Sequence, residues 1–332
     1  MTPESHVKIA VVIPCYLVKR QILGVLAKIG SEVDAIYVVD DACPEGTGDL
    51  VEREVHDKRV QVIRCERNGG VGAATLIGMS AATAAGATVM VKIDGDGQMD
   101  TAFIVSVVAP ILDGRADYTK GNRFYSPEFV QGMPAVRIFG NGILSFMTKM
   151  SSGYWATFDP TNGFVAIHAA VFSRLPLKKL ASRYFFESDL LFRLNLLRAN
   201  VIDIPMPATY GDESSNLNVR RIILPFIWGH LRNCAKRITY SYFIRDFSIA
   251  SIYLMFGVPL FLFGVLYGAD QWIAHARSGT IATAGTVMVA ALPVITGFHL
   301  ILSFLAYDIA NVPRTAVHPL LWSNRRSDEF SS

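Results

Sequence analysis

Residues 88–98 read TVMVKIDGDGQ. The stretch Thr88–Ile93 predicts a short buried strand, and Asp94-Gly95-Asp96-Gly97-Gln98 sets two carboxylates directly after it. Working towards the N-terminus, Val7–Pro14 (VKIAVVIP), Ala35–Asp40 (AIYVVD) and Val60–Arg64 predict three more strands from their β-branched runs. Helices are expected between them, over Val18–Ile29, Gly48–Val55 and Gly72–Ala85. Strands alternating with helices predict an α/β domain with a mostly parallel sheet covered on both faces. Ligands of such sheets bind beyond the carboxyl ends of the strands.

Those ends carry the chemistry. The first strand runs into Pro14-Cys15-Tyr16, and the second into Asp40-Asp41-Ala42-Cys43-Pro44. A glycine-rich turn, Asn68-Gly69-Gly70-Val71-Gly72, precedes a helix. Mg²⁺ and Mn²⁺ take hard oxygen ligands, usually one or two carboxylates plus substrate phosphates. Asp94, Asp96 and the amide oxygen of Gln98 are therefore the candidate metal ligands. Aspartate and glycine also populate ordinary loops, so the position after a buried strand is what gives the D-x-D its weight.

The 332 residues are 51% hydrophobic and only 18% charged, with a net charge of +3. Mean hydropathy is +0.34. An ordinary soluble enzyme carries about 25% charge, and a nucleic-acid binder shows a strong basic excess; neither fits. Cys15, Cys43, Cys65 and Cys234 form no C-x-x-C pair, so no zinc site or disulfide framework is implied. Phe247–Gly268 contains no Asp, Glu, Lys, Arg or His. Its helix would be roughly 33 Å long, enough to cross a hydrocarbon core. Ile281–Tyr307 is a second apolar run, with His299 as its only ionisable side chain besides the terminal tyrosine, after the polar connector ADQWIAHARSG. A transmembrane hairpin is expected. Arginines and lysines flank it on both outer sides, among them Arg220, Arg221, Arg232, Lys236, Arg237, Arg245, Arg314, Arg325 and Arg326, whereas the connector has only Arg277. The positive-inside rule then puts both ends in the cytoplasm. No leader is expected, because Ile9–Ile13 is too short for an h-region. Residues 220–242 mix basic, aliphatic and aromatic side chains, the composition of a helix lying in the membrane interface, with a packed linker helix as the alternative. The expected organisation is a catalytic domain over 1–217, juxtamembrane helices over 218–246, the hairpin over 247–312 and a tail over 313–332.

The set VVIPCY, VVDDACPEGT, NGGVGAA and KIDGDGQMD resembles family 2 glycosyltransferases of the GT-A fold. In register it is similar to the polyprenyl-phosphate glycosyltransferases, the group of dolichyl-phosphate mannose synthase and the bacterial GtrB-type enzymes. The likeness runs from Lys8 to Leu217, and the hairpin also fits. It implies that Pro14 and Tyr16 line a nucleotide pocket, that Asp40 or Asp41 accepts hydrogen bonds from base or ribose, and that Asp94, Asp96 and Gln98 hold the metal on the donor diphosphate. Gly121-Asn122-Arg123 resembles the family's G-S-R segment, with Asn in place of Ser. Arg123 and Arg137 would then meet an acceptor phosphate, which a guanidinium fork suits. Glu187, with Asp189 nearby, falls where the family has an acidic acceptor-side motif, although a carboxylate at a helix start is also an ordinary cap. Tyr210–Leu217 resembles the family's domain ending but lacks its lysine.

The resemblance implies inverting transfer of a hexose from a nucleotide sugar to a membrane polyprenyl phosphate, with Mg²⁺ or Mn²⁺ as cofactor. Asp96, Arg123 and Glu187 are the catalytic candidates. It also implies a homo-oligomer, since family members assemble through their hairpins. Transfer to another lipid acceptor and a catalytically silent membrane scaffold are the alternatives left open.

Overall fold

The computed structural model describes residues 7–131, 133–207 and 219–321. Tyr210–Leu217, Arg325 and Arg326 lie outside the described residues. The chain forms two compact units, one of residues 1–234 with 313–332, the other of Ala235–Val312.

The first unit is built on strands β1 (Ile9–Cys15), β2 (Ala35–Asp40), β3 (Val60–Arg64), β4 (Val89–Lys92), β5 (Tyr118–Asn122), β6 (Val165–His168) and β7 (Val201–Pro205). They make one sheet in the order β3-β2-β1-β4-β6-β5-β7. β6 is antiparallel to both its neighbours and every other pairing is parallel, so the sheet is mostly parallel, as expected. Helices α1 (Ile22–Leu26), α2 (Thr47–Glu54), α3 (Val71–Ala84), α4 (Ile104–Leu112), α5 (Ala135–Ser152), α6 (Ala169–Phe172) and α7 (Phe186–Leu196) join the strands, and α8 (Val219–Thr239) follows. The core gathers Val11, Ile13, Ile36, Val38 and Val91 from the strands and Ile93 just past β4, with Ile104, Val107 and Ile111 from α4. Burial on both faces is what lets β1, β2 and β4 read as continuous apolar runs.

α1 is much shorter than the Val18–Ile29 expected. Lys28 and Ile29 close back on Val25 and Leu26 at 3.2 Å, the i→i+3 bonds of a tighter turn. The segment after Pro313 returns to the same unit. There the Val317 and His318 amides donate to Asp117 at 2.8–3.0 Å. His318 stacks on His168 with ring centroids 4.1 Å apart. Burial, with the nearby His318, lowers the His168 pKa to about 4.

The second unit holds α9 (Ile249–Ser278) and α10 (Ala284–Ala310), both long and apolar enough to cross a membrane. They pack through small residues: a Cβ on Gly297 would lie 2.4 Å from the Phe261 backbone nitrogen. The polar connector expected between the spans is largely helical, because Ala269–Ser278 contains neither proline nor glycine. Gly279, at φ +66°, ends α9. Arg237 grips Asp308 through both terminal nitrogens at 2.6 and 2.9 Å, and the Tyr242 hydroxyl donates to the same carboxylate at 2.5 Å.

Candidate active site

The carboxyl ends of β1, β2 and β4 open on a cavity of 360 Å³, lined among others by Pro14, Tyr16, Asp41, Gly70, Asp94 and Asp96. The two second-strand aspartates part ways here. Asp40 lies outside this lining and accepts from the Cys43 and Gly48 amides, both at 2.7 Å, fastening the turn into α2. Asp41 faces the cavity and accepts from the Gly69 and Gly70 amides at 2.8 Å. It thereby fixes the glycine turn against the start of α3. Gly70 has φ +92°, and a Cβ there would meet Arg183 Cγ at 2.7 Å and the Ser182 carbonyl at 2.8 Å. Only glycine admits that approach. Arg183 and Tyr184 complete the wall. Sequence reasoning missed both, since they stand more than a hundred residues from the glycine turn and only the acidic residues that follow them, Glu187 and Asp189, drew attention to the segment.

Asp94 and Asp96 also line a second cavity, of 230 Å³, with Gln98, Arg123, Thr161 and Asn162. The D-x-D is thus the partition shared by the two spaces. The Gln98 amide donates to Asp96 at 3.0 Å, which shapes the loop. Arg123 forks onto Asp159 through Nε and one terminal nitrogen, both at 2.7 Å, and reaches Thr161 at 3.2 Å. Burial raises the Asp159 carboxyl, but the Arg123 fork outweighs it and holds the group below the ordinary aspartate range. Asn122, where the family pattern has Ser, donates to Asp203 at 2.8 Å and accepts from the Phe124 amide at 2.8 Å, bracing the β5 end. Arg137 is exposed on α5 and lines neither cavity.

Glu187 lines neither cavity, yet it is linked to the partition. Lys92, 1% exposed on β4, lies 2.9 Å from Asp94 and 3.4 Å from Glu187. Burial alone would lower the lysine's pKa; the two carboxylates outweigh it and push it up to about 12. Burial raises Glu187 above the usual glutamate range, and Lys92 offsets only part of this because it is shared with Asp94. Gly163 makes room for the arrangement: a Cβ there would lie 2.4 Å from Lys92 Nζ and 2.6 Å from Asp94 Oδ2. Asp189 has another task. It accepts from the Ala181 amide, Arg193 and Asn233 at 2.9–3.1 Å, tying α7 to α8. Lys92 was legible only as one polar letter in an apolar strand.

This sheet, with its ligand edge at the first strand ends and a carboxylate pair after β4, has the GT-A fold. The chain belongs to glycosyl transferase family 2, which matches residues 10–176. It is 30% identical over 220 residues to a UDP-N-acetylglucosamine–dolichyl-phosphate N-acetylglucosaminyltransferase of Methanococcus voltae, covering 62% of this chain and 87% of that one. It is 25% identical over 229 residues to a polyprenol monophosphomannose synthase of Mycolicibacterium smegmatis, covering 66% and 86%. Among solved structures it is similar to glucosyl-3-phosphoglycerate synthase from Mycobacterium tuberculosis in complex with phosphoglyceric acid. The TM-score is 0.53 at 17% identity, covering 69% of this chain and 81% of that one. At that identity the likeness is one of fold.

Proposed function

We propose that the chain transfers a hexose from a nucleotide diphosphate sugar, of the UDP-glucose or GDP-mannose type, to a membrane polyprenyl phosphate, inverting the anomeric carbon. The observation that carries this is the Asp94–Asp96 partition between two cavities, one walled by the strand ends, the other by Arg123. The candidate membrane spans and the lipid-phosphate acceptors in the relatives' names favour a polyprenyl phosphate over a soluble acceptor. The basic flanks of the hairpin support a cytoplasmic catalytic part by the positive-inside rule.

The donor set fits Mg²⁺ or Mn²⁺. Asp94, Asp96 and Gln98 offer hard oxygens, and among the described residues no group of three or more His, Cys, Asp or Glu could hold an ion unaided. A two-carboxylate set suits an ion whose other ligands are substrate phosphates. When bound, such an ion neutralises charge developing on the departing nucleoside diphosphate.

The chain's own residues do the rest. Pro14, Tyr16 and Asp41 are placed to seat the nucleoside, and Arg183 sets a positive charge beside the diphosphate space. Arg123, oriented by Asp159, offers guanidinium charge to an acceptor phosphate. A phosphate monoester has its second pKa near 6 and is already a nucleophile at neutral pH, so no general base is required. Glu187 then acts through Lys92, holding Asp94 in place, as a positioning residue. Purified protein in detergent with Mn²⁺ and undecaprenyl phosphate should move label from UDP-glucose, UDP-N-acetylglucosamine or GDP-mannose into an organic-extractable, acid-labile lipid. Failure with all three donors, while nucleotide still binds, would overturn this choice of donor and acceptor.

A further inference from the structure

A tail that merely trailed from the hairpin would leave no mark on the fold. The segment after Val312 is instead built into the first unit. Its anchor is Asp117, fully buried at the start of β5. Outside the tail, among the described residues, only the Asn200 amide donates to this carboxylate, at 2.7 Å. The tail supplies the rest: the Val317 and His318 amides and the His318 Nδ1, all at 2.8–3.0 Å. Ala316, His318 and His168 are buried around the contact. Burial alone would raise the Asp117 carboxyl, but the donors, His318 foremost, outweigh it and hold the group below the ordinary aspartate range. A carboxylate buried with a single donor would be costly, so the clasp is made for the tail.

We infer that residues 311–318 are a strap of set length, which together with α8 limits the freedom of the catalytic unit relative to the hairpin and so keeps its site within reach of an acceptor confined to the bilayer; the last clause rests on the acceptor proposed above. The hairpin is fastened at both ends. On the way in, α8 carries the chain to Cys234, where the first unit ends, and is held there by Asn233 on Asp189 at 2.9 Å and by His230 on Ser151 at 2.8 Å. On the way out, only Asn311–Ala316 lie between α10 and the clasp. That stretch reaches roughly 25 Å at full extension, so a closed clasp sets a hard limit. The local concentration that a tether maintains falls roughly as the −3/2 power of its length. A short strap therefore favours an acceptor that cannot leave the membrane, and does nothing for one that diffuses in from water.

The test lengthens the strap without touching the clasp. About twelve flexible Gly/Ser residues are inserted between Arg314 and Thr315, both exposed, in the full-length protein reconstituted in vesicles. His318→Ala, which weakens the clasp itself, is the second variant. Nitroxides at Val105→Cys on α4 and Ile281→Cys beyond α9, both exposed, read the spread of distances between the two units, with Cys65 and Cys234 changed to serine. The insertion should leave Tm unchanged and widen that spread about 1.5- to 2-fold, the square-root growth of a flexible linker; His318→Ala should widen it too. Label transfer to undecaprenyl phosphate in the vesicles should fall about fivefold on insertion, while transfer to a short-chain, water-soluble polyprenyl phosphate holds. A spread as narrow as wild type in both variants would overturn the strap, since α8 alone would then hold the unit. Equal loss towards both acceptors, or loss towards neither, would overturn its role in presenting the site. Wild-type protein that transfers to neither acceptor would refute the proposed reaction instead, and the spin distances would still decide the strap.

Discussion

Replacing Lys92 by methionine removes the one cation that, among the described residues, pairs with both Asp94 and Glu187. At 2.9 and 3.4 Å the two attractions are worth about 6 and about 5 kcal/mol at an effective dielectric of 20, before the cost of burying the ions. The net loss is smaller, because the variant can escape by protonating Glu187. At pH 7 that costs about 4 kcal/mol from an ordinary pKa near 4.3, in line with the roughly 3–5 kcal/mol lost when one partner of a buried pair is removed. In a domain of this size about 4 kcal/mol lowers Tm by about 8–16 °C. The sign with pH follows from linkage. In the variant the folded Glu187 pKa is raised further, the folded state binds the extra proton, and stability is regained as pH falls. Fluorescence-monitored melting of the detergent-solubilised protein should therefore show a gap to wild type that narrows from pH 7.5 to 5.5. Adding Glu187→Gln should restore most of it. A Lys92→Met variant melting with wild type, a gap that ignores pH, or a double variant as unstable as the single one would refute the reasoning.

Asp94→Asn should separate fold from function. It leaves Lys92 paired one-to-one with Glu187, so Tm should hold within about 3 °C, under 1 kcal/mol, while label transfer falls by about 100-fold or more with the loss of charged support for the leaving group. Asp96→Asn should cost more activity than Glu187→Gln, as kcat measured side by side will show, because only Asp96 lines the cavities. Gly163→Ala should lower kcat about 10- to 100-fold, the usual effect of disturbing a partner behind a ligand, since its Cβ falls on the Lys92–Asp94 contact. His168 is held to about pKa 4 when folded against 6.5 in the unfolded chain, which favours folding by about 3 kcal/mol above pH 6.5. That contribution is lost as pH falls through 4, so His168→Asn should flatten the Tm profile across this window.

The strands that the sequence delimits well are those with an uninterrupted or alternating β-branched pattern, whether central like β2 or half-exposed at the sheet edge like β3. β2 and β3 coincide with their expected ranges because a β-branched run there stops at an aspartate or arginine. β5, read as YTKGN, carries no such pattern: its buried polar side chains, Lys120 and Asn122, find their partners only in the folded chain. The D-x-D was legible from composition and position. The lysine behind it was not, because nothing local tells a buried ammonium from a strand-edge one. Its partner Glu187 lies 95 residues away. Arg183 and Tyr184 were hidden for the same reason, since they enter the site through the approach of their loop to Gly70.

The buried lysine also explains how the carboxylates of the proposed diphosphate site can be assembled in advance. Asp94 and Glu187 face a single ammonium, and Asp159 is matched by Arg123. Asp41 spends its charge on two backbone amides. Each carboxylate in this group is therefore held by a donor fixed in the sheet or its loops, rather than by a group that a substrate must first displace. Asp94 shows why that matters. Two bare carboxylates flanking a diphosphate would repel it. An ammonium shared between Asp94 and a second, deeper carboxylate holds the Asp94 side chain in position from the side of the core. Preorganised charge of this kind costs no reorganisation when the reaction occurs.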